Sequence, residues 1–305
     1  MDQLVMDFRQ DCLVRGMAER SVESYLNCIK ICRGYLLDQG KDILTIDRLA
    51  IQGYIEHLRL VRGVSLKTVK MHLTALSSLY EFLVFEGHLD SNPVLAVRRR
   101  YSRRYKNGNE AQTRQLISIA DMAKIINSEM DIRDKAIIAL LAKTGIRRNE
   151  LITLDVADVD LVDSRIKLKP TAKRSNRTLF IDGECSFTLR RWLRFRETVN
   201  KKKSTALFIS KWGNRITRTD VYEAVTKAAE RVGLHNPDSN RMEDHFSPHC
   251  CRHWFTTHLR RAGMRREFIQ ELRGDSRREA IDIYDHIDLK ELKEAYLACI
   301  PQLGI

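Results

Sequence analysis

A mainly α, two-domain protein is what this sequence predicts: a four-helix first lobe, then an α-rich second lobe interrupted by a small β-hairpin. Three observations carry that expectation. At 305 residues the chain exceeds the usual single domain, and each half is long enough to bury its own core. Apolar residues recur at helical spacing through the first lobe. A basic stretch ending in Asn107-Gly108-Asn109 separates that pattern from the second lobe.

In the first lobe the apolar stripes are Leu4, Phe8 and Cys12; Val22, Tyr25, Ile29 and Leu36; Ile51, Ile55 and Leu58; and Val69, Leu73, Leu76, Tyr80 and Leu83. Ser21 and Ser65 read as helix starts, and Asp90-Ser91-Asn92-Pro93 as a stop and turn. This gives a helical module over 1–97, a basic linker over 98–112 and a second domain over 113–305. From Arg98 to Lys106 the linker carries Arg98, Arg99, Arg100, Arg103, Arg104 and Lys106 with no acidic residue. Such runs are commonly solvated strips, but in a chain this basic they are candidate DNA-phosphate contacts.

In the second lobe Met122 to Ile126 and Ile132 to Ala142 predict helices, the latter buried and ending at Gly145. Arg165 to Leu168 and Thr178 to Ile181 predict a hairpin with a basic turn. Further helices are expected near 187–199, 219–232, 249–262, 265–273, 277–285 and 288–299.

Lys plus Arg number 53 against 40 acidic residues, a net charge of +13, which points to a polyanionic partner, nucleic acid first. A hydrophobic share of 43% excludes wholesale disorder. Seven cysteines without C-x-x-C spacing read as reduced, mostly buried thiols in a cytoplasmic protein. With no signal segment and no long apolar window, neither secretion nor a membrane partner is expected.

Four blocks carry chemistry. T-G-I-R-R-N-E-L, from Thr144, turns at a glycine into a helix with Arg147 in its first turn. H-C-C-R-H-W, from His249, sets His249 and Arg252 three apart on one helix face. L-R-G-D-S, from Leu272, is followed by I-D-I-Y-D-H, which places Tyr284 nine residues beyond Asp275. Singly, each has a bland reading: a capping arginine, an exposed helix face, a core tyrosine. His245, His249, Cys250, Cys251 and His253 match no common zinc spacing, so no metal is expected.

In order and spacing, however, the blocks resemble those of the tyrosine recombinase, or phage integrase, family. Its pattern is T-G-(L or I)-R-x-x-E-L, a hairpin lysine, H-x-x-R-H, then L-G-H with a tyrosine nine residues on. Arg147, His249, Arg252 and Tyr284 fall on that pattern, Glu150 and Leu151 match its E-L, and the likeness runs from about Ala111 to His286. The first lobe resembles the family's SAM-like core-binding domain. Asp275 departs from the usual His or Trp, and Arg273 from the usual Leu, so a supporting phosphate donor is missing or replaced. The L-R-G-D variant resembles archaeal members.

The resemblance implies a site-specific recombinase in which Tyr284 attacks a DNA phosphate while Arg147, Arg252 and His249 hold it. Lys173 of the hairpin is the favoured general acid, with Lys169 as competitor. It implies a 3′-phosphotyrosyl intermediate, no cofactor, no metal and no ATP. It also implies double-stranded DNA as partner and a homo-tetramer on DNA formed from monomers, linked through a C-terminal exchange helix. Xer-like dimer resolution and mobile-element integration or excision both fit. A catalytically weak or inactive DNA-binding regulator is the rival from another class, and a type IB topoisomerase a further one.

Overall fold

The computed structural model describes residues 2–101, 115–169, 177–275 and 287–305, and the chain divides into two compact units, 1–110 and 111–305.

The first unit is built from α1 (Asp2–Val14), α2 (Glu19–Asp38), α3 (Arg48–Glu56, continued by a π turn to Val61), α4 (Leu66–Phe85) and α5 (Val94–Tyr101). The four apolar stripes meet in one core around Phe8, Ile29, Leu36, Ile51, Tyr54, Leu73, Leu76 and Tyr80. Ser65 caps α4, its hydroxyl accepting from the Thr68 N–H at 3.2 Å. Ser21 has no such role, because α2 begins two residues earlier, after Ala18. Asn92 accepts from the Val94 N–H at 2.9 Å and donates to the Ser77 carbonyl at 3.0 Å, which turns the chain into α5. That fifth helix takes in Arg98, Arg99 and Arg100, where the basic linker was expected to begin. Val94 and Val97 anchor it in the core and leave Arg99 and Arg100 exposed.

The second unit contains α6 (Ile119–Asn127), α7 (Ile132–Thr144), α8 (Arg148–Thr153), α9 (Gly183–Val199), α10 (Arg218–Arg231), α11 (Pro248–Arg261), α12 (Arg266–Arg273) and α13 (Leu289–Cys299). A three-stranded antiparallel sheet runs β1 (Val159–Asp160), β2 (Arg165–Lys167), β3 (Thr178–Phe180). The expected hairpin is β2–β3, in which Ile166 faces Leu179; β1 adds a strand that was not foreseen. Helix α7 lies at the centre, every residue from Ala136 to Thr144 buried, with α9, α10 and α11 packed around it.

Two features of α7 position the site. Its C-cap Gly145 has φ 59°, and a Cβ there would sit 2.4 Å from Cδ1 of Phe255 on α11. Glycine therefore permits both the left-handed turn and the close approach of α11. The fully buried Lys143 ammonium donates to Asp182 at 2.6 Å, to Glu184 at 2.5 Å and to the Pro301 carbonyl at 2.7 Å. Glu184 in turn accepts from the N–H groups of Leu303 and Gly304, so α13 and the tail after it fold onto their own unit, with Leu292, Tyr296, Ile300 and Leu303 in the core. Among the described residues no helix is long and apolar enough to cross a membrane.

Candidate active site

Arg147 sits one residue ahead of α8, as its N-cap, rather than in the first helical turn. The Glu150 carboxylate accepts from both the Arg147 N–H (2.9 Å) and its guanidinium (3.0 Å). It also takes a two-pronged contact from Arg177, just before β3, with both bonds at 2.9 Å. Glu150 and Arg177 are buried. Burial alone would raise the carboxyl pKa, but the bonds from Arg177 and then Arg147 hold it below its ordinary value.

Arg252 extends from α11 into the turn that Gly145 makes. Its guanidinium donates to the Gly145 carbonyl and the Arg273 carbonyl, both at 2.7 Å. Burial, together with the neighbouring charges of Arg147 and Arg273, pushes its pKa down to about 10, leaving it cationic at neutral pH.

The two arginines converge on one carboxylate. Oδ1 of Asp275 accepts from Arg252 at 3.2 Å and from Arg147 at 3.3 Å, and Oδ2 forms an ion pair with Arg273 at 3.0 Å. Asp275 thus stands as an acceptor where the family pattern has a donor. Arg147 also donates to the Gly274 carbonyl at 3.1 Å, so the C-terminal end of α12 closes over both guanidiniums.

His249 lies one turn before Arg252 on α11, exposed, with its ring edge-on to His253 at 5.9 Å between centroids. The neighbouring Cys250 and Cys251 are buried. Among the described residues no group of three His, Cys, Asp or Glu side chains is placed to share a metal ion.

Lys169 is held at the foot of the hairpin: its ammonium bonds to Asp155 and lies 3.5 Å from Asp158. The Asp155 bond raises its pKa above the ordinary lysine value. Lys173, Tyr284, Arg103, Arg104, Lys106 and the helix expected near 277–285 lie outside the described residues. Arg98 and Arg99, with Lys70 and Thr74 of α4 and Leu95, line a hollow on the first unit.

Arg177 was not among the residues that the sequence singled out. The signal was available in Glu150: a buried carboxylate beside Arg147 has oxygens enough for a second cation.

The profile of the phage integrase family matches residues 108–291, and that of the phage integrase N-terminal SAM-like domain matches residues 4–86. The tyrosine recombinase XerC of Thermodesulfovibrio yellowstonii is 30% identical over 261 residues, 82% of this chain and 81% of the relative. XerC of Vibrio cholerae is 26% identical over 290 residues, 92% of this chain and 87% of the relative. Among solved structures, a lambda integrase (75–356) dimer bound to a COC′ core site superposes with TM-score 0.70 at 17% identity, covering 95% of this chain and 99% of that one. The chain belongs to the phage integrase family, and with it to the site-specific tyrosine recombinases.

Proposed function

We propose that the chain breaks and rejoins double-stranded DNA at a specific site through a phosphotyrosine at Tyr284. The convergence of Arg147 and Arg252 on a single anion carries this reading. A phosphodiester under attack gathers charge on its non-bridging oxygens, and two planar guanidiniums fixed by Glu150 and Gly145 meet that charge without reorganising. His249 adds a third donor or accepts the phenol proton. The Tyr284 oxygen bonds to phosphorus, the bond to the 5′ oxygen breaks, and a proton from Lys173 neutralises the departing alkoxide. A 3′-phosphotyrosyl link and a free 5′-hydroxyl result, and attack by a second strand's 5′-hydroxyl reverses the step without ATP, metal or cofactor. The two carboxylates around Lys169 make it a poor proton donor, which favours Lys173 as the acid.

The SAM-like unit contributes phosphate contacts through Arg98, Arg99 and Arg100, so affinity falls steeply with salt. Free monomers assemble into a tetramer on DNA, with α13 and its tail leaving their own unit to dock on a neighbour. Xer-like dimer resolution is the nearer role, on the likeness to two XerC proteins along more than four-fifths of this chain.

Incubation with a library of nicked duplexes that trap the phosphotyrosyl state tests this. A covalent band on a denaturing gel, formed without metal and lost in Tyr284→Phe, is the expected result, and sequencing the trapped DNA identifies the site. DNA binding without an adduct under any condition would leave a binding-only protein.

A further inference from the structure

We propose that Asp275 is an internal stand-in for the DNA phosphate, a carboxylate that occupies the arginine pair until a phosphate displaces it. This rests on the reading of Arg147 and Arg252 as the phosphate clamp.

The geometry is that of an anion in its site. One oxygen of Asp275 is shared between guanidiniums from α11 and from the turn before α8, and the other faces Arg273. Three cations thus surround one negative charge. Arg252, with only 6% of its side chain exposed, needs such a counter-charge, because a buried guanidinium left alone is costly. A phosphodiester carries the same single charge and likewise offers two oxygens, so the exchange leaves the charge of the pocket unchanged.

The carboxylate is also placed to leave. It follows Gly274, which ends α12 at φ 60°, ψ 46°, the left-handed conformation that glycine adopts freely. Its backbone is held by the N–H bond to the Gln270 carbonyl at 3.1 Å, while its side chain keeps 28% exposure. The Arg273 and Gly274 carbonyls that also accept from the guanidiniums belong to the same turn. Access of phosphate to the clamp is therefore a competition that Asp275 sets, and its charge lowers affinity for phosphate in the free protein.

The test compares full-length wild type, Asp275→Asn and Asp275→Ser in two assays. The first is binding of inorganic phosphate, followed by calorimetry and by the rise in melting temperature it gives. The second is adduct formation on the trapped duplex pool. A charge-assisted hydrogen bond is worth roughly ten- to a hundred-fold in affinity, so Asp275→Asn is expected to bind phosphate tighter by about that factor and to form adduct faster. Asp275→Ser, which shortens the side chain as well, is expected to behave alike, and wild type is expected to gain little stability from phosphate. If Asp275→Asn folds poorly, the serine variant and the wild-type phosphate measurement decide. Tight phosphate binding by wild type, or variants that form adduct no faster and bind phosphate no better, would overturn the proposal while leaving the recombinase reading intact. Variants that bind phosphate tighter with no adduct from any protein would support the stand-in and refute the cleavage chemistry.

Discussion

Removing the Glu150 carboxylate, as in Glu150→Ala, gives the sharpest test of how the site is held. Four donors from two arginines converge on it, and the Arg177 guanidinium is left buried at 3% side-chain exposure with its carboxylate gone. Breaking one side of a buried pair costs about 3–5 kcal/mol. For a domain the size of residues 111–305, each kcal/mol lowers the melting temperature by about 2–4 °C, so a fall of roughly 6–20 °C is expected. All three tryptophans, Trp192, Trp212 and Trp254, lie in this unit, so tryptophan fluorescence of the full chain reports its melting without interference from the helical unit. The double variant Glu150→Met with Arg177→Met removes both charges and should melt well above the sum of the two single losses. A Glu150→Ala protein that melts within a degree or so of wild type would refute the reasoning, as would a double variant that is merely additive.

Gly145→Ala forces a side chain into a left-handed turn, costing about 1–2 kcal/mol, and into the Phe255 ring, so a loss of at least ~2 kcal/mol is expected in denaturant unfolding. Lys143→Met leaves Asp182 and Glu184 facing each other without their cation; a loss of about 3–5 kcal/mol is expected, with the residues after Pro301 becoming open to carboxypeptidase. On acidification the sign follows from two carboxyls, Glu150 and Glu184. Burial opposes ionisation of each, yet bonds from Arg177 and Arg147 in the first and from Lys143 and backbone N–H groups in the second hold both pKa values below their unfolded value. Their contribution is fully present above about pH 4.3 and is lost as pH falls through the depressed folded values. Melting temperature should therefore drop steeply below that pH in wild type and more gently in Glu150→Gln.

The helices were legible wherever their apolar stripes were long, as in α2, α4 and α7, whose buried residues repeat over several turns. Helix α5 was not, because Val94 and Val97 are the buried residues of its eight and the arginine run outweighs them in any sequence window. Strand β1 is two residues long and makes no pattern. Arg147 and Arg252 were found through order and spacing, which a linear reading can hold. What Asp275 touches was not legible, since its partners stand 128 and 23 residues away and only the turn at Gly145 brings them together. The same is true of Arg177 and Glu150, 27 apart, and of Lys143, a lone cation in an apolar run whose partners come from α9 and the tail.

The most direct test of the account is to digest the trapped protein–DNA adduct and locate the nucleotide by tandem mass spectrometry. Tyr296 is buried in its own unit with its hydroxyl bonded to the Lys143 carbonyl at 2.9 Å, whereas Tyr222 on α10 is exposed and serves as the internal control. A 3′-phosphate ester on Tyr284, absent in Arg252→Gln or slowed there about 100-fold or more, is the predicted result. A linkage on Tyr222, on a serine or at a 5′ phosphate would contradict it.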